Sequence, residues 1–209
     1  MLMSAADHII ADEASLRALY GMPSGGAVLK QVDHLHPHYQ AMIRAAPFAV
    51  LATSGPNGVD TTPRGDAPGF IEIADDRTLL LPDRKGNNRI DALRNIVANP
   101  HVSLLFLIPG VGETLRVNGT ARISTDPALL DRFVVNGKTP MTVLVISVTT
   151  VFFQCAKAVI RSRLWDPAAQ APKGTVPSSG TILKDITEGA FGGDQYDRDL
   201  PQRLAATLY

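Results

Sequence analysis

A single cysteine, Cys155, stands in the 209 residues, so neither an intramolecular disulfide nor a cysteine-based zinc site can form, and the chain suits a reducing compartment. Charge of one sign is missing too. Twenty Lys and Arg against twenty Asp and Glu leave a formal net charge of zero, without the positive field that draws in a nucleic-acid backbone. A small anion needs only two or three local cations and is not excluded. No apolar run is long enough to cross a bilayer as a helix; the longest, residues 141–153, is short and rich in Thr and Ser. Near the N-terminus Asp7, His8, Asp12 and Glu13 break up any apolar segment, so no secretory signal is expected and the chain is expected in the cytoplasm. No Gly-rich loop ending in Lys-Ser or Lys-Thr occurs, and Gly110-Val111-Gly112 leads into a strand pattern instead of a helix, which makes it a turn.

What is present is ordinary globular material: 45% apolar and 19% charged residues, too hydrophobic to stay disordered and long enough for one folding unit with elaborated ends. Helical spacing of Ile9, Ile10, Leu16 and Leu19 predicts a helix over residues 4–20, stopped by Gly21 and Pro23, and a second covers 38–45. Residues 48–53 read as a strand that reverses through Ser54-Gly55-Pro56-Asn57-Gly58. The returning strand starts near Val59, and Pro63, Gly65, Pro68 and Gly69 are expected to interrupt it before β structure resumes over 70–74 and 78–81. Ile90, Leu93, Ile96 and Val97 give one face of a helix over 88–98, closed by Asn99-Pro100. Strands follow at 102–108, 114–123 and 143–153, with helices at 127–135 and 156–164, and residues 166–180 read as a linker or surface loop. Strand follows strand with only short helices between. That is a mainly β fold with helical decorations, an antiparallel, Greek-key-like small barrel at residues 46–165, with an N-terminal helical arm at 1–45 and a C-terminal extension at 166–209.

The stretch LLLPDRKGNNRIDALRNIVANPHVSLLF, residues 79–106, carries the chemistry. It sets Arg84, Lys85 and Arg89 around a Gly-Asn-Asn turn that opens a helix, where unpaired N–H groups and neighbouring cations suit an anion. A helix start carrying solvated charges would read the same way. His34, His36 and His38 alternate, but Pro37 breaks the geometry and no carboxylate is placed beside them, so no metal site is assigned. Cys155 reads as a small buried residue, and Trp165 as a packing anchor beyond a cationic helix end.

That stretch, with its cationic turn and Asn-Pro before an apolar strand, resembles the phosphate-binding segment of the pyridoxamine 5'-phosphate oxidase-like flavoproteins. Residues 48–53, the Thr61-Thr62-Pro63-Arg64-Gly65-Asp66 segment and residues 155–165 (CAKAVIRSRLW) are similar to other parts of the same family, so that the resemblance covers about residues 45–165. It implies a split β-barrel, FMN as cofactor and a homodimer with FMN at the subunit interface. The implied cofactor-binding residues are Arg64, Gly65, Asp66, Pro82, Asp83, Lys85, Asn88 and Arg89, with Lys157 or Arg161 reaching in from the second subunit. Arg64, Lys85 and Arg89 are the expected phosphate cations. The implied activity is an FMN-dependent oxidoreduction, hydride passing to flavin N5 from an unknown small substrate or reduced nicotinamide. A flavin-binding storage or sensing module, or a deazaflavin- or haem-binding relative, is the alternative. Nothing in 166–209 reproduces the Arg-x-His element that recognises pyridoxamine phosphate, so vitamin B6 oxidation is not expected, and no residue is assigned as general acid or base.

Overall fold

The computed structural model describes residues 8–209, which fall into two compact units, one ending at Gln31 and the other running Val32–Tyr209. In the first, helix α1 (Glu13–Tyr20) starts later than the spacing predicts. Asp12 is the reason: its carboxylate accepts the Ser15 N–H at 2.8 Å and caps the helix there. Residues 4–7 of that expectation lie outside the described residues. A five-residue helix, α2 (Gly25–Leu29), follows.

The larger unit is a seven-stranded, fully antiparallel split barrel with helical decorations. Strands β1 (Phe48–Gly55), β2 (Gly58–Gly65), β3 (Glu72–Asp75), β4 (Thr78–Asp83), β5 (His101–Leu107), β6 (Thr114–Ser124) and β7 (Thr142–Gln154) lie in the order β2-β1-β5-β6-β7-β4-β3. Three hairpins are local: β1–β2, β3–β4 and β5–β6. The connections from β2 to β3 and from β4 to β5 instead carry the chain from one side of the sheet to the other, and the candidate site forms on the second of them.

Alternation along the strands selects the core. Leu104 and Phe106 of β5, Leu115 and Val117 of β6, and Ala49 and Leu51 of β1 point inward and are buried, while Ser103, Leu105 and Arg116 on the other face are partly exposed. Helix α3 (Pro37–Ala45) contributes Ile43 to that core, and Leu35 and Ala46 join it, so residues 32–46 belong with the barrel. Helix α4 (Asp91–Ala98) closes it from another side with Ala92 and Ile96. The expected helix at 127–135 is shorter, a single turn α5 (Pro127–Leu130) continued by a tighter turn over Asp131–Phe133. There Phe133 joins Leu80 and Val143 in a small second cluster. Helix α6 (Lys157–Ser162) follows β7. Beyond residue 178 the chain forms α7 (Ser179–Ile186), capped by Ser178, and α8 (Asp194–Thr207). The two are tied by the Asp197 carboxylate, which accepts the Gly180 N–H at 2.7 Å.

The interruption expected at Pro63 does not occur. β2 runs unbroken through it to Gly65, because β2 is the edge strand and Pro63, paired with Val50, can turn its nitrogen to the open side without costing a ladder bond.

The β1–β2 hairpin is held against α4 by Asn95, whose amide donates to the buried Thr53 hydroxyl at 3.1 Å. Gly55 lies so close that a Cβ there would fall on the Asn95 side chain. Gly55→Ala is therefore expected to lower unfolding free energy by about 1–3 kcal/mol, as overpacking does, read from the urea midpoint. A neutral result would mean that Asn95 swings away without losing Thr53.

Candidate functional site

An open cleft of about 620 Å³ lies between the edge strand β2 and the β4–α4 connection. That volume is within the range of roughly 300–1,000 Å³ typical of small-molecule sites. Its walls are Asp60 to Arg64 of β2, Asp83 at the end of β4, the whole connection from Arg84 to Ile90, the first turn of α4, and Met141 with Thr142 where β7 begins. Two features of the chain place these residues together. Asp83 pairs with Thr142 in the β4–β7 ladder, which fixes one wall, and α4 packs on β1 and β2, which brings the connection across to the other.

The connection is not the plain helix start read from the sequence. α4 begins at Asp91, three residues after Asn88, because Asn88 (φ 59°) and Ile90 (φ 51°) take left-handed backbone conformations. Asn tolerates this; a β-branched Ile does so at a cost of about 1–2 kcal/mol, strain of the kind that collects at ligand sites. Ile90 offers no side-chain cap, and Asp91 fills the first turn with an acidic residue.

The cations are largely spoken for by carboxylates. Arg64 Nη1 pairs with Asp83 Oδ1, both side chains mostly buried at 17% and 14% exposure, and this pair ties β2 to β4, which are not sheet neighbours. Arg84 Nε donates to Asp66 Oδ2 at 3.2 Å, so the two Arg–Asp pairs run between the same two strand ends in opposite senses. Arg89 Nε meets Asp91 at 2.7 Å, but that Arg side chain is 75% exposed and the pair is a surface one. Lys85 has no ion-pair partner among the described residues. Asp66 is drawn on further: its Oδ1 accepts the Tyr209 hydroxyl at 2.8 Å and, also at 2.8 Å, the Ala67 N–H. Burial pushes the Asp66 carboxyl up, but the Ala67 N–H, the Tyr209 hydroxyl and Arg84 together outweigh it and hold the group below its ordinary value.

Two polar atoms in this region are buried without a partner among the described residues: Arg64 Nε and Thr142 Oγ1. Both residues line the cleft. Unmet buried polar atoms are costly, and the same cleft is lined by Lys85, so a polar ligand with an anionic end suits the walls. A second, shallower hollow of about 330 Å³ near Ser54, His101 and Ser103 lacks this character. There Ser103 already bonds Asn118, and Ser54 bonds Asn99.

Of the residues expected at the cofactor, Arg64, Asp83, Lys85, Asn88 and Arg89 line the cleft. Gly65, Asp66 and Pro82 are not on its walls. Pro82 is buried inside β4, opposite Val143, and Asp66 acts from behind through Arg84. Lys157 and Arg161 are not brought to it within one chain, since the thirteen residues of β7 separate α6 from Thr142, roughly 40 Å at about 3.3 Å per residue. Sequence reasoning missed Thr142, Met141, Asp60 and Tyr209. Cys155, expected buried, is exposed. Trp165, expected as a packing anchor, donates its indole N–H to the Val111 carbonyl at 2.7 Å and joins neither core cluster. His36 serves as a helix cap, its ring nitrogen 3.3 Å from the His38 N–H, and among the described residues no group of His, Cys, Asp and Glu gathers as a metal site. No described helix is long and apolar enough to cross a membrane.

Residues 35–155 match the family model described as pyridoxamine 5'-phosphate oxidase. Comparison with curated proteins found no match. Among solved structures, HupZ of group A Streptococcus is similar at 22% identity and a TM-score of 0.48, over 57% of this chain and 94% of that one. General stress protein 26 of Bacillus anthracis is similar at 20% and 0.42, over 55% and 88%. An FAD binding protein of Mycobacterium smegmatis is similar at 18% and 0.40, over 58% and 95%. At these identities and scores none of the three bears on what the chain binds.

Proposed function

The chain belongs to the pyridoxamine 5'-phosphate oxidase family, and on that premise we propose that it is an FMN-dependent oxidoreductase whose cofactor lies in the cleft between β2 and the β4–α4 connection. The observation that carries this reading is a cleft of small-molecule size whose wall holds cations with binding capacity left, Lys85 without an ion-pair partner among the described residues and Arg84 bonded through Nε alone. A dianionic phosphate uses the cations, and the backbone and side chains of β2 stand beside the place left for the flavin ring. Bound FMN would supply hydride acceptance at N5; the protein's own part is binding and orientation.

The reading includes a homodimer. Lys157 and Arg161 stand at the far end of β7, so they serve a cleft only if a second copy presents them. Light scattering is expected to give twice the chain mass.

The purified protein is expected to show flavin bands near about 370 and 450 nm and to release FMN on denaturation, identified by mass. Bleaching by NADH or NADPH, with return of colour in air, would establish the redox role. A yellow protein inert to every donor would instead be the storage or sensing module. A colourless protein that also fails to bind added FMN would remove the flavin assignment.

A further inference from the structure

We infer that Tyr209 and Asp66 form a positioning clamp for Arg84, so that the segment after α8 sets how tightly the cleft holds a phosphate; this rests on the flavin reading above. Arg84 is a wall of the cleft, only 19% exposed in its side chain. Its Nε is fixed by Asp66 Oδ2, and its guanidinium carbon stands 5.0 Å from the centre of the Tyr209 ring, within cation–π range. Its two Nη groups make no bond to the described residues and are left for a ligand's oxygens. Tyr209 is itself held at two points. Its hydroxyl donates to Asp66 Oδ1 at 2.8 Å, and its main-chain carbonyl accepts Lys138 Nζ at 2.6 Å. A long, flexible Arg side chain is thus bound on one edge and one face before any ligand arrives, which removes the ordering cost of binding and directs the free edge. Asp66 is the common partner, and Tyr209 meets it from 143 residues away in sequence.

The charged and titratable groups facing the Tyr209 side chain are Asp66 and Arg84, with Lys138 on its backbone. The hydrogen bond to Asp66 and then its charge push the Tyr209 hydroxyl above its usual value, while the Asp66 carboxyl stays below its own. The sign follows for each. Asp66's contribution is complete above the ordinary carboxylate range and is lost as pH falls through its lowered value. Tyr209's is complete below about pH 10 and is lost as pH rises through its raised one. The clamp therefore holds across neutral pH.

The test compares FMN with riboflavin, which lacks the phosphate, by flavin fluorescence titration of the flavin-stripped dimer. The clamp predicts that Tyr209→Ala weakens FMN about tenfold and riboflavin little, with Tyr209→Phe in between because it keeps the ring over Arg84 but loses the Asp66 bond. An FMN-to-riboflavin preference unchanged in both variants overturns the clamp while leaving the flavin reading intact. If the wild-type chain binds neither flavin, that reading falls instead. The clamp is then read with inorganic phosphate alone, which should raise the wild-type melting temperature more than that of Tyr209→Phe; equal shifts overturn it.

Discussion

Arg64→Ala is expected to lower the free energy of unfolding by about 3 kcal/mol and, on the proposed reading, to strip the protein of its flavin. Most of the first effect comes from what is left behind. The guanidinium is the partner of Asp83, whose side chain is 14% exposed, and truncating it leaves a carboxylate largely cut off from water with no counter-charge. The pair also joins β2 to β4, strand ends that no ladder connects, so its loss frees one wall of the cleft from the other. The double variant Arg64→Met, Asp83→Asn separates these contributions. Removing both charges should recover much of the stability in urea denaturation but none of the flavin retention, because the Arg64 Nε and Nη donors stay absent. A single variant that loses under about 1 kcal/mol would show that water reaches Asp83 and that the pair behaves as a surface one.

The same pair shows where reading from sequence stops. Lys85 and Arg89 can be picked out because the turn and helix start that carry them are a local pattern, Arg64 and Asn88 only through the resemblance to a family, and the barrel itself is legible in alternating apolar residues separated by turn residues. Which carboxylate meets which cation is not local. Arg64 with Asp83, Arg84 with Asp66 and Tyr209 with Asp66 are separated by 19, 18 and 143 residues, and only closure of the barrel brings them together. Pro63 is misread for a related reason: a proline interrupts an inner strand, and nothing in the sequence says that β2 is an edge. The start of α4 slips from Asn88 to Asp91 because left-handed backbone at Asn88 and Ile90 spends three residues on the turn. A β-branched residue gives no hint of such a conformation. Beyond residue 178 the α8 segment is too polar to announce a helix, whereas α7 carried a local signal that could have placed it, the Ser178 cap with its Oγ accepting the Thr181 N–H at 3.0 Å.

Phe106→Ala tests the scaffold without touching the cleft. Phe106 is 1% exposed, the largest of the fully buried side chains, on β5 between Ala49 of β1 and Leu115 of β6. Those neighbours are themselves fully buried and held in ladders on both sides, so the space vacated cannot readily collapse, and the expected loss is about 3–5 kcal/mol in denaturant unfolding. Phe106→Leu, which keeps most of the volume, should cost far less, about 1 kcal/mol. Flavin affinity supplies the contrast with Arg64. No cleft residue lies on β5, and β1 stands between β5 and β2, so the folded fraction of Phe106→Ala should bind FMN nearly as the wild type does while unfolding at much lower urea. Loss of affinity in parallel with stability would mean that the barrel core sets the spacing between β2 and β4. The cleft would then be a property of the whole sheet's curvature, with the two Arg–Asp pairs following that geometry instead of holding it.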